Sequence, residues 1–105
     1  MINHIFKLAE FDKDFGKLDK SEQYRIEKIL EQLHERADVG KPLGGLPFFR
    51  EKRFDGKRLY FLIYDKLNVI LIIGISDKKM QKATINQILL NMTEYHQYVI
   101  NLLKE

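Results

Sequence analysis

The chain has 105 residues, 45% hydrophobic and 31% charged, with a formal net charge of +3. That is enough chain to bury a core without a metal or disulfide staple, and it predicts one domain over residues 1–105. With no cysteine, structural disulfides and cysteine–zinc sites are excluded. The longest apolar run, Val69 to Ile75, is too short to span a bilayer, and the opening MINHIFKLAEFDK has acids where a signal peptide needs an apolar core. A cytoplasmic protein with no membrane partner is expected.

In chain order, Ile2 to Leu8 reads as a short edge strand. Phe11, Phe15 and Leu18 fall at helical spacing and predict a short first helix with Gly16 as its weak point. Asp19 with Glu22 has the spacing of a capping box and opens a second helix. Ile26, Ile29, Leu30, Leu33 and Ala37 form its apolar stripe, and Gly40 is its expected stop. The two make a helical hairpin.

GKPLGGLP, with Gly40, Gly44, Gly45, Pro42 and Pro47, reads as a loop. Phe48 to Phe54 is a predicted strand, Asp55-Gly56 a two-residue hairpin turn, and Lys57 to Asp65 the returning strand. After a turn over Lys66 to Asn68, Val69 to Ile75 is apolar almost throughout, as suits a central strand covered on both faces. Thr84 with Gln87 offers a second capping box. Ile85, Ile88, Leu89, Met92, Tyr95, Val99 and Leu102 continue one long helix. The order βααβββα predicts an α+β fold, with the helical hairpin and a C-terminal helix packed on a mostly antiparallel four-stranded sheet.

The charge is unevenly spread. Residues 41–82 carry ten Lys or Arg against four acids, a local +6, whereas residues 1–40 carry seven basic and nine acidic groups. Strand alternation puts Phe48, Arg50, Lys52 and Phe54 on one face and Phe49, Glu51 and Arg53 on the other. In the returning strand Leu59, Phe61 and Ile63 oppose Arg58, Tyr60, Leu62 and Tyr64. The hairpin therefore gathers Arg50, Lys52, Arg53, Lys57 and Arg58 near Tyr60, with Lys78, Lys79 and Lys82 after the central strand. Clustered cations suit a polyanion, because neutralised phosphates release counterions, and a tyrosine can stack on a base or donate a proton. The same cations also suit edge strands that repel one another.

His4, His34 and His96 have no metal-ligand spacing, and no Ser–His–Asp set, paired carboxylates or phosphate loop is present. No cofactor or metal is expected. Any acid–base chemistry falls to Arg, Lys and Tyr, which is workable for RNA cleavage: cations stabilise the phosphorane and the substrate's 2′-hydroxyl attacks.

Three stretches resemble the RelE/HigB-type toxins of the RelE/ParE toxin–antitoxin superfamily, and together they cover nearly the whole chain. They are Leu18-Asp19 with the amphipathic second helix, the run KPLGGLPFFREKRF continued by GKRLYFLIYDKLNVILIIGISDKK, and KKMQKATINQI from Lys78 to Ile88. The resemblance implies a ribosome-dependent mRNA endonuclease that leaves a 2′,3′-cyclic phosphate, inhibits translation, and is held by a cognate antitoxin in a hetero-oligomer. It implies that Arg58, Tyr60 and Lys79 are catalytic. Arg50, Lys52, Arg53, Lys57, Lys78 and Lys82 would bind RNA.

A related branch poisons DNA gyrase, so a non-nuclease binder or a catalytically inactive relative is the alternative. Three departures stand out. Phe61 occupies a slot where many members have arginine, Met80 and Gln81 stand where many have a catalytic tyrosine or histidine, and the long last helix replaces a short tail that leaves the site open.

Overall fold

A computed structural model describes Ile2 and residues 4–105. The first strand, β1, covers His4–Lys7; Asn3, within the expected strand, lies outside the described residues. Helix α1 spans Ala9–Gly16 and α2 spans Lys20–Glu35. The predicted capping box opens α2: Asp19 accepts the Glu22 N–H at 2.8 Å, and Glu22 accepts the Asp19 N–H at 3.1 Å.

Strands β2 (Lys41–Leu43), β3 (Leu46–Phe54), β4 (Lys57–Tyr64) and β5 (Val69–Asp77) follow, then helices α3 (Gln81–Leu90) and α4 (Met92–Leu103). The sheet has five strands in the order β1-β5-β4-β3-β2, with β1 parallel to β5 and every other pairing antiparallel. The β3–β4 turn has positive φ at both Asp55 (47°) and Gly56 (77°). Such a turn matches the right-handed twist of the flanking strands.

Helices cover both faces of the sheet. On one face Phe11, Ile26, Ile29 and Leu33 of the hairpin pack against Leu59, Phe61, Ile63, Ile70 and Ile72. On the other, Ile88 of α3 and Val99 of α4 pack against Phe49, Tyr60, Leu62, Val69, Leu71 and Ile73. This double cover explains why β4 and β5 lack the polar alternation of a half-exposed strand. An extra residue, Ile73, bulges out of the β4–β5 register between the pairs Phe61–Ile72 and Tyr60–Gly74. Near it the Ile75 N–H is taken by the Asp14 carboxylate of α1 at 3.0 Å.

Four expectations need correction. The loop read over GKPLGGLP contains β2, so the strands number five rather than four. The single C-terminal helix is two, broken at Asn91, whose side-chain amide donates to the Gln87 carbonyl at 2.8 Å. Asn competes in this way with the helical ladder. Thr84 and Gln87 form no cap, because α3 begins earlier, after Asp77 has accepted the Met80 N–H at 2.9 Å. Gly40 does not stop α2, which ends at Glu35. It has φ +84°, and a Cβ there would lie 2.4 Å from the Glu51 carbonyl oxygen, so its role is close approach to β3.

Two glycines are therefore expected to respond oppositely to alanine. Gly40→Ala should cost more than about 1 kcal/mol through strain and collision. Gly16 ends α1 with open space around it, and Gly16→Ala should stabilise by about 0.4–1 kcal/mol. Urea midpoints of the two variants check both signs.

Candidate nucleic-acid interface

The β3–β4–β5 register sets the geometry of the basic end. Arg53 faces Arg58, which faces Ser76; Glu51 faces Tyr60, which faces Gly74; Lys57 faces Asp77. The α3-facing side here is polar. Glu51 is 2% exposed and Arg58 5%. Glu51 accepts a hydrogen bond from the Gln81 amide of α3 at 2.8 Å. The guanidinium Nε of Arg58 lies 3.9 Å from one Glu51 oxygen, and that of Arg53 lies 4.0 Å from the other. Arg58 Nη1 also donates to the Gly56 carbonyl at 2.9 Å, while its Nε has no hydrogen-bond partner.

Tyr60 is fully buried. Ser76 Oγ donates its one proton to the Asp77 carbonyl at 3.0 Å, so Tyr60 must donate to Ser76 across their 2.8 Å contact. Burial pushes the Tyr60 phenol above its ordinary value, with Glu51 adding to the rise, while the Ser76 hydrogen bond and Arg58 oppose it. At neutral pH Tyr60 is thus a proton donor and not a base.

The other predicted residues divide sharply. Arg50 faces the α2 side, and its guanidinium donates to the carbonyls of Val39, Pro47, Asp38 and Gly40 at 3.0–3.2 Å. It clamps the α2–β2 connection and has little donor capacity left for phosphate. Lys57 is paired with Glu22 of α2. Lys52 is half-buried at the β3 edge, while Arg53, Lys78, Lys79 and Lys82 are exposed.

The three lysines surround the start of α3, where the Asp77 carboxylate accepts the Met80 N–H. Helix N-termini favour anions. Arg53 and Ser76 sit two strand spacings apart, about 10 Å. The structure thus brings Arg53, Lys57, Arg58, Lys78 and Lys79 to one end of the sheet, with Tyr60 beneath, and separates Arg50 from them.

Two of the departures find physical reasons. Phe61 is fully buried in the core beneath the hairpin helices, so its slot points away from the basic end. Gln81, one of the two residues in the slot where the resemblance implied a catalytic tyrosine or histidine, holds α3 over Glu51. Glu51 and Ser76 were not singled out from sequence as site residues, and Gln81 only as a departure. The one available signal was an acid on the inward side of a basic strand.

Removing Glu51 would leave Arg58 buried without its carboxylate. Glu51→Ala should therefore cost about 3–5 kcal/mol, measured as a fall in the urea midpoint. An unchanged midpoint would show that the ion cluster contributes nothing to stability.

No family model and no curated protein matches the chain. Solved structures do. A mutant Escherichia coli RelE toxin in the free state matches with TM-score 0.68 at 18% identity, covering 84% of this chain and 99% of that one. The toxin in the intact E. coli RelBE toxin–antitoxin complex gives 0.61 at 20% identity, covering 70% and 94%. A RelB–RelE antitoxin–toxin complex from Methanococcus jannaschii gives 0.61 at 14%, covering 75% and 96%. What these share with the chain at such identities is architecture: the chain has the fold of the RelE toxins.

Proposed function

We propose that this protein is the toxin of a type II toxin–antitoxin pair and acts as a ribosome-dependent mRNA endonuclease that inhibits translation. The observation that carries this reading is the exposed cationic junction of Arg53, Lys78, Lys79 and Lys82 around the start of α3, on a RelE fold. Such an arrangement neutralises a backbone phosphate and the charge that develops on it as the 2′-hydroxyl attacks. Lys79 needs no movement to reach RNA and is assigned transition-state stabilisation. Arg58 and Tyr60 lie under α3, and they take part only when the Gln81–Glu51 contact opens. The partner is an antitoxin, as in the RelB–RelE complexes, in a hetero-oligomer formed in the cytoplasm.

A second reading rests on one observation: Tyr60 is fully buried and Arg58 nearly so, on the face covered by α3 and α4. A protein that never opens this cover binds without cutting, as a gyrase inhibitor or an inactive relative.

Primer extension on an mRNA incubated with purified protein, with and without ribosomes, separates the two. Codon-phased cuts that require ribosomes, weakened about 100-fold in Lys79→Ala, are expected. Intact mRNA under every condition would transfer the weight to the binder, with gyrase supercoiling as the next assay. Lys79 is exposed, so its variant stays folded, whereas loss of activity in Arg58→Ala is interpretable only beside a matching denaturation midpoint.

A further inference from the structure

A groove of about 640 Å³ runs between α2 and the outer edge of β3, on the side of the sheet away from α3. Its helical wall carries Tyr24, Arg25, Lys28 and Gln32, and its strand wall Lys52 and Arg53. Tyr24, Arg25 and Lys28 share one flank of α2 because positions three and four apart are neighbours. β2 pairs with β3 only as far as Glu51, so the strand wall has no further strand outside it.

Three cations, Arg25, Lys28 and Lys52, face the groove and no carboxylate lines it. The acids that pair with them sit at the rim: Asp55 lies 3.1 Å from Arg25, and Glu31 3.5 Å from Lys28. Both pairs are exposed. Exposed pairs contribute little to stability, so a phosphate can displace them. Tyr24 is 60% exposed, the most exposed aromatic on the protein among the described residues, and Lys28 Nζ stands 5.3 Å from its ring centroid.

Cations on both walls beside an open aromatic ring match the chemistry of single-stranded nucleic acid, in which phosphates are neutralised while bases stack. An acidic peptide would use the cations and leave the ring idle. Arg53 forms part of the strand wall while its guanidinium stands beside Glu51 on the other face, so the groove and the basic junction meet at the β3 edge. We propose that the groove between α2 and β3 binds a single-stranded RNA segment continuous with the strand held at Lys78 and Lys79, with Tyr24 as its stacking platform. The inference rests on the RNA reading above and extends the contact surface to a second side of the sheet.

Fluorescence anisotropy with a labelled single-stranded RNA tests it without ribosomes, using the wild type, Tyr24→Ala, Lys28→Ala and Lys79→Ala. All three side chains are exposed, and matched thermal midpoints confirm folding. Tyr24→Ala should weaken binding about 5- to 100-fold. Lys28→Ala should reduce the slope of log affinity against log salt by about 0.7. Wild-type affinity in both would overturn the groove, and loss confined to Lys79→Ala would do so while leaving the basic junction as the RNA site. Absence of RNA binding by the wild type would remove both readings. Displacement of the RNA by polyglutamate at equal charge concentration would overturn the assignment in favour of an acidic protein partner.

Discussion

The double burial of β4 and β5 is the constraint on which the rest of the structure depends. Leu59, Phe61, Ile63, Ile70 and Ile72 face the helical hairpin, while Leu62, Val69, Leu71 and Ile73 face α3 and α4. Each fully buried aliphatic or aromatic side chain contributes about 1.5–3 kcal/mol. With both faces of these strands spent on packing, polar chemistry is confined to the strand ends, the sheet edge and the helix start beyond the apolar layer.

The polar cluster at the sheet end follows from the same geometry. Where the apolar layer ends, Glu51, Arg58, Tyr60 and Ser76 occupy the α3-facing side, and Gln81 closes over them. Buried charges are tolerated only when paired and hydrogen-bonded, and breaking such a pair costs more than making it gains. Glu51 meets two guanidinium groups and one amide, so one carboxylate organises β3, β4 and α3 together. Arg58 is held by its hairpin turn and by Glu51, while its Nε lacks a hydrogen-bond partner.

Local signals in the sequence were read well where the physics is local. The Asp19–Glu22 capping box, the Asp55-Gly56 turn and the apolar β5 each depend on a few neighbouring residues. Alternation also assigned Phe61 and Tyr60 to opposite faces. What was missed depends on distant partners. β2 exists because Lys41 and Pro42 meet Glu51 and Arg50 across a glycine-rich turn, and no propensity of KPL announces that pairing. The break at Asn91 turns on a side-chain hydrogen bond that the apolar spacing of the last helix hides.

The basic cluster shows most clearly why charge count alone underdetermines a site. Arg50 and Lys79 are equivalent in a tally of cations, yet Arg50 is bound to four backbone carbonyls and Lys79 stands in solvent. Arg has five donors in a fixed fork, which suits it to tying a loop, whereas the compact ammonium of Lys is a point charge that must remain accessible to act on a ligand. Lys57 and Arg58 are likewise engaged by Glu22 and Glu51. Intramolecular acceptors thus sort the cations into those that build the end of the sheet and those left facing outward. The outward set leaves a cationic surface at that end of the sheet.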